Sequence, residues 1–250
     1  MNHFIYCYAG NKRNEYKYFK DYVKLEGVKN IIEPFCGTSA ISFNIWLENK
    51  DKYNYYLNDN SEKLYNVYKL IKEEEPEFIL KKINDIKNKI KNKEDYYNLY
   101  KSNYDIYEYI TLIKRSGVRF GFYKDNTKSD YKFSKLQLIF FEFIKSPNVF
   151  ISNNDWSIPF NTFKDDKESL IFLDPPYLSL YNDFYENKSI NIYEYLYNNN
   201  IKNFKSHIYL ILENIWMIKL LFKENNILCN YVKKYETSKK ITEHIIIYNY

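Results

Sequence analysis

The apolar run Leu170–Leu173 ends on Asp174, and Pro175, Pro176 and Tyr177 follow at once. A carboxylate at the tip of a buried strand is a hydrogen-bond acceptor aimed out of the core. Proline has a fixed φ and no N–H, so the Pro175 carbonyl is a second acceptor held nearby without a competing donor. Tyr177 adds a flat face on which a planar ring can stack. Two acceptors and an aromatic face suit a planar ring bearing an exocyclic amine, such as adenine. The amine lone pair is delocalised into the ring. An acceptor on each of its hydrogens favours a pyramidal nitrogen with a free lone pair, able to attack a methyl donor. A base in a duplex must first leave the stack to reach such a site, and catalysis is then mostly positioning and electrostatics.

Two further acidic positions close apolar runs. In VKNIIEPFCGTSAISFNIWL, from Val28, the run ends at Glu33, Pro34 stops it and Gly37 supplies a tight turn. Asp59 stands 22 residues after Gly37, at the end of a second apolar run. That is the place where an acidic residue binds ribose hydroxyls in dinucleotide folds. The pyrophosphate-admitting G-x-G-x-x-G is absent, which argues against NAD or FAD. A nucleoside ligand without phosphates needs only one turn glycine, and S-adenosylmethionine fits that description.

The elements that must carry these residues follow from hydrophobic periodicity. Strands are expected at Asn30–Glu33, up to Asn58-Asp59, at Val149–Ser152, at Ser169–Asp174 and at Ser206–Glu213, with a final pair at Ile227–Glu236 and His244–Asn249. Thr38 is a plausible N-cap for a helix through Leu47, and a second helix starts near Asn60 or Ser61. From Pro76 the pattern is helical and highly charged to about Tyr109. A basic, aromatic loop follows, then a helix in KLQLIFFEFIK that ends before Pro147. The expected architecture is an α/β, doubly wound, Rossmann-like sheet formed by residues 1–75 and 148–250, interrupted by a mostly helical insertion at 76–147.

Charge is unevenly placed along the chain. Residues 76–150 hold 15 Lys+Arg and 9 Asp+Glu, a net of +6, whereas the whole chain has a net of +5, so the remainder has −1. Such a segment is the footprint of a polyanion binder, or equally a lysine-rich solvated helix face. Lys, Asn, Ile, Tyr and Phe are abundant, with 29 Tyr and only 5 Gly, a bias expected of an AT-rich genome, so a surviving Arg is more informative than a Lys. The three cysteines (Cys7, Cys36 and Cys229) imply no disulfide framework, and the three histidines share no metal-ligand spacing with them. No metal site is expected. No run has the length and apolarity of a membrane span, and the N-terminus lacks a secretory layout. An intracellular protein is expected, in the cytoplasm or, for a viral source, in the host cytoplasm or a viral factory.

These residues, in this order, resemble the Dam-type adenine-N6 DNA methyltransferases, most closely the phage Dam enzymes. Tyr8-Ala9-Gly10-Asn11-Lys12 is similar to the family's Y-x-G-N-K segment, Glu33-Pro34-Phe35-Cys36-Gly37 to its F-x-G loop, Leu57-Asn58-Asp59 to its L-x-N-D stretch and Leu173–Tyr177 to its D-P-P-Y motif. The resemblance implies a class I methyltransferase sheet with S-adenosylmethionine bound by Tyr8, Lys12, Phe35, Gly37, Asp59, Asp155, Trp156 and Asp174. It implies catalysis at Asp174, Pro175, Pro176 and Tyr177, with a flipped adenine lined by Tyr177, Tyr181 and Phe184. The insertion matches the target-recognition domain, and SGVRFGFYK resembles its DNA-contacting loop, with Arg119 the preferred contact and Arg115 and Lys124 behind it. Phe120, Phe122 and Tyr123 could fill the gap left by a flipped base or pack in a core. The family's F-N-x-P-x-G signature is absent from YKFSKLQ, so no target sequence carries over. Double-stranded DNA is the implied partner. A monomer or homodimer and an accompanying restriction endonuclease stay open. RNA adenine methylation and a catalytically silent DNA-binding homologue are the alternatives; the intact Asp174, Tyr177, Asp59 and Lys12 speak against the latter.

Overall fold

A computed structural model describes residues 2–8, 12–116, 120–124, 129–176, 192–223, 226–234 and 241–249, with backbone alone for 226–234, 241 and 242. The chain divides into two compact units. One holds Met1–Asn11 and Glu62–Val149, the other Lys12–Ser61 and Phe150–Tyr250.

The second unit is built on a sheet of seven strands, in the order β3-β2-β1-β4-β5-β7-β6. Its strands are β1 (Asn30–Glu33), β2 (Asn54–Asn58), β3 (Val149–Ser152), β4 (Ser169–Leu173), β5 (His207–Glu213), β6 (Asn226–Lys234) and β7 (Ile241–Tyr248). β1 runs parallel to β2 and to β4, and β4 parallel to β5; β7 is antiparallel to both β5 and β6. All five residues of β4 are buried, as expected of a parallel strand covered on both faces. One face packs Ile32, Ile171, Leu173, Ile208 and Leu210 against Phe160 of α7 (Ser157–Phe163) and Leu196 of α8 (Ile192–Asn199). Successive strands run outward from β1 to β2 and β3 on one side and from β4 to β5 on the other. The order therefore reverses between β1 and β4, and ligands bind at the carboxyl ends of the strands flanking such a switch. This is the doubly wound, mostly parallel α/β sheet expected above. α9 (Trp216–Leu221) connects β5 to β6.

α1 (Ala40–Asn49) starts later than the expected Thr38 cap. Its N-cap is Ser39, in the left-handed region at φ 50°, and that side chain makes no capping bond. Gly37 is also at φ 50°, so two residues of the turn adopt a conformation that ordinarily favours glycine. Capping is supplied from the sheet: the Ser42 N–H donates to Glu33 Oε1 at 2.8 Å.

The first unit is helical, with α2 (Glu62–Glu73), α3 (Pro76–Lys89), α4 (Lys93–Lys101), α5 (Ile106–Ser116) and α6 (Lys135–Lys145). It is larger than the expected insertion because α2 and the first residues of the chain join it. The Phe4 ring lies edge-on to Tyr68 of α2 at 5.6 Å and to Phe140 of α6 at 5.7 Å. The Gln137 side chain, inside a capping box with Ser134, also donates to the Phe4 carbonyl at 2.7 Å. No helix among the described residues is long and apolar enough to cross a membrane.

Candidate active site

The carboxyl ends of β1, β2 and β3 are stitched together by Asn58. Its amide donates to the Pro34 carbonyl at 3.0 Å and the Asn154 carbonyl at 2.9 Å, and its Oδ1 accepts from Ser152 Oγ at 2.8 Å and the Asn154 N–H at 2.9 Å. Both donors and both lone pairs of a buried amide are thus used, which fixes three loops against one side chain. Asp59 stands beside it. Its Oδ2 accepts from the Gly37 N–H at 2.9 Å and its Oδ1 from the Ser61 N–H at 3.0 Å. Each oxygen keeps a second lone pair for a ligand hydroxyl. Burial raises the Asp59 carboxyl above its ordinary range, against the pull of those two N–H groups.

Phe35 and Trp156 stack with their planes 20° apart and centroids 5.9 Å apart. Asp155 is exposed and caps the entry to α7 by accepting from the Ser157 N–H at 2.9 Å. The expected cofactor residues Phe35, Gly37, Asp59, Asp155 and Trp156 therefore share the rim at the ends of β1, β2 and β3.

Asp174 follows β4 directly, two strands from β2, or about 10 Å across the sheet at the usual spacing. Its Oδ2 is 2.7 Å from Lys12 Nζ, with side chains 20% and 7% exposed respectively. The resemblance gave Lys12 to the cofactor; here its ammonium meets the Asp174 carboxylate. Burial raises the Asp174 carboxyl above its ordinary range. Lys12 and His244 oppose that shift, and Glu15 adds to it. Pro175 is buried, and the Pro176 carbonyl accepts from the Tyr193 hydroxyl of α8 at 2.9 Å. Tyr193 was not singled out in the sequence; it holds the D-P-P turn from outside.

Two further buried acids lie in the second unit: Glu15, which the sequence did not single out, and Glu33, which it marked only as the end of an apolar run. Glu15 Oε2 lies 3.0 Å from His244 Nδ1, both essentially excluded from solvent. Glu33 is 4% exposed, and burial pushes its carboxyl up to about 7, despite the two hydrogen bonds from Ser42. A carboxyl raised in the folded state makes the fold less stable as it ionises, so stability is lost as pH rises from about 4.5 through about 7. Glu33→Gln keeps an acceptor for Ser42 and removes that ionisation. We expect the variant to gain stability over the wild type at pH 8, by up to about 3 kcal/mol, and little at pH 5. Thermal midpoints of both proteins across that range check it; parallel curves would contradict the shift.

In the helical unit, Arg115 does not occupy a DNA-facing position. It is 5% exposed, donates to the Ile90 carbonyl, and its guanidinium lies 5.6 Å from the Tyr123 ring centroid. A planar multi-donor cation suits such an internal brace. Lys124 is exposed, with its N–H on the Arg115 carbonyl at 3.1 Å. Phe120 and Tyr123 pack against Ile90, Tyr96 and Leu112, whereas Phe122 is exposed. Tyr8 belongs to this unit, with its ring 6.5 Å from both Phe4 and Tyr6. Tyr177, Tyr181, Phe184 and Arg119 lie outside the described residues, as does the Cys229 side chain. Among the described residues no cluster of His, Cys, Asp or Glu could hold a metal ion.

No curated protein matches the chain. A solved structure from Listeria monocytogenes, assigned as a class I S-adenosylmethionine-dependent methyltransferase, has 10% sequence identity and a TM-score of 0.38, covering 94% of this chain and 56% of its own. This chain thus spans little more than half that protein's length, and so distant a likeness adds nothing to the strand order above. Residues 8–115, a little over two fifths of the chain, match the family of D12 class N6 adenine-specific DNA methyltransferases; that segment holds Lys12, Phe35, Gly37 and Asp59 but not Asp174.

Proposed function

We propose that the protein transfers a methyl group from S-adenosylmethionine to N6 of an adenine turned out of a short duplex DNA site. The observation that carries this reading is the Lys12–Asp174 contact of 2.7 Å at the tip of a fully buried strand. Burial disfavours the charged form of Asp174, and a protonated carboxyl would be a donor. The ammonium beside it favours the carboxylate, which only accepts.

The fit to S-adenosylmethionine rests on the donor set. Asp59 has spare lone pairs suited to ribose hydroxyls, the Gly37 turn brings backbone close, and the Phe35–Trp156 stack offers an aromatic wall for an adenine ring. When bound, the cofactor supplies an electrophilic methyl on a sulfonium. The protein's share is then positional. Asp174 and the Pro175 carbonyl each accept one hydrogen of the N6 amine, and Tyr193 holds the turn so that the two acceptors keep their spacing. Tyr177, with Tyr181 and Phe184, stacks against or lines the base. The proton that N6 sheds on methylation passes to the Asp174 carboxylate, its nearest acceptor. Arg119 and the exposed Lys124 contact the DNA, phosphate contacts setting register and base contacts specifying the site.

Incubation with S-adenosylmethionine carrying a labelled methyl, on unmethylated duplex DNA, duplex RNA and protein extract, tests the reading. We expect label in DNA only, recovered on digestion as N6-methyladenine. Label confined to RNA would move the substrate class, and none in any substrate would favour a silent DNA-binding homologue.

A further inference from the structure

We propose that the buried Glu15–His244 pair is a positioning anchor that sets Lys12 Nζ against Asp174; this rests on the methyltransferase reading above. His244 is in β7, in register with Glu213 at the last residue of β5. Because β7 is antiparallel, this places His244 at the same rim as the ends of β4 and β5. Its Nδ1–H donates to Glu15 Oε2 at 3.0 Å, with side chains 0% and 2% exposed. Glu15 is in turn locked to Lys12 through the backbone. The N–H groups of Glu15 and Tyr16 both donate to the Lys12 carbonyl, at 2.9 and 3.1 Å. One continuous chain of contacts thus runs from β7 through His244, Glu15 and the Lys12 turn to the Asp174 carboxylate.

The cost of the arrangement points to its use. A buried carboxylate bonded to an imidazole is expensive to desolvate, and an apolar pair would pack the same space. Such pairs are best justified where they fix a geometry. The turn at residues 12–16 precedes two short 3-10 turns and has little regular structure of its own to hold it. Beyond the Glu15 contact, a long 3.4 Å bond from Asn44 Nδ2 to the Arg13 carbonyl also ties it to α1. The charged groups that bear on Asp174 are Lys12, Glu15, His244 and Glu33. Release of the turn removes the first of these from the carboxylate and leaves burial less opposed.

Amine acylation followed by peptide mapping reads the anchor without turnover. With N-hydroxysuccinimidyl acetate on the folded wild type, Lys12 is expected to react far more slowly than the exposed Lys17 of the same segment. In Glu15→Ala its rate relative to Lys17 should rise at least about tenfold, whereas Glu15→Gln, which keeps an acceptor for His244, should retain protection. If Glu15→Ala does not fold, His244→Ala against His244→Asn makes the same comparison from the other side, since Asn keeps a donor. In the methylation assay the alanine variants should lose roughly 10- to 100-fold in kcat, as expected for a misplaced catalytic group, with the KM for S-adenosylmethionine changed less than about threefold. The acid limb of kcat should move to higher pH. Lys12 as protected in the folded alanine variants as in the wild type would overturn the anchor. A wild type that labels no adenine, yet shows the protection pattern, would sink the methylation reading and leave the anchor standing.

Discussion

Asp174→Ala should cut methyl transfer to adenine by at least about a thousandfold, with DNA binding retained. The side chain is asked to hold one amine hydrogen and to receive a proton, and groups in those roles are each worth roughly 10²–10⁴ in rate. Asp174→Asn is the sharper variant. It preserves size and one carbonyl oxygen, but its amide has N–H donors where the carboxylate had only acceptors. A donor facing the amine opposes the pyramidal nitrogen, so we expect Asn to lose at least about a hundredfold. Its stability should lie closer to wild type than that of Ala, because its carbonyl still accepts from Lys12. Rates per binding-competent molecule, counted by titration with duplex DNA, separate lost chemistry from lost fold. Either variant retaining more than about a tenth of wild-type turnover would remove Asp174 from the reaction.

The parts of the site visible in the sequence are those in which an apolar run meets an acid. Asp174 after Leu170–Leu173 and Asp59 after the second strand announce themselves because a buried parallel strand has one short place to emerge. The strand order then puts both on one rim. Glu33 follows the same rule, yet its acceptor role toward Ser42 depends on a left-handed Ser39, which composition does not reveal. His244 was opaque for a different reason. In a strand such as HIIIY a single histidine looks like a tolerated core residue, and its partner is 229 positions away. The Lys12–Asp174 pair spans a comparable gap between segments, so no spacing rule reaches it. Arg115 misled through its rarity. In a lysine-biased chain a retained arginine suggests function, but its fork of donors is as well used on a buried carbonyl. The boundary at Pro76 was read from a shift in composition. The helical unit also takes α2, because Leu64, Val67, Tyr68 and Ile71 form a buried face on it, and long-range aromatic packing with Phe4 leaves no mark in local composition.

Lys12→Met should separate two roles for that lysine. If the ammonium serves Asp174, its loss leaves a buried carboxylate without its cation, a defect that costs up to about 3–5 kcal/mol where burial is complete. The 20% exposure of the Asp174 side chain reduces that figure through solvent screening. The pH dependence has a definite sign. Burial already holds the Asp174 carboxyl above its ordinary 3.8 and Lys12 pulls it down, so removing Lys12 raises it further. A carboxyl raised in the fold weakens stability as pH rises through its folded value. The variant should therefore lie near the wild type at about pH 4 and fall furthest behind it at pH 8. Turnover should fall, because at any given pH a larger share of Asp174 is protonated and donates to the amine it must accept from, and should partly recover as pH rises. Lys12→Met combined with Asp174→Asn removes the unpaired charge, so the double variant should be more stable than Lys12→Met alone, a coupling that a double-mutant cycle reads directly. If Lys12 serves only the cofactor, as the family resemblance implies, the loss instead takes the form of a raised KM for S-adenosylmethionine. The thermal midpoint would then hold at every pH and the cycle would show no coupling. The carboxylate role requires the opposite on both counts, because an ammonium 2.7 Å from a half-buried acid cannot be removed without changing the energy of its charge.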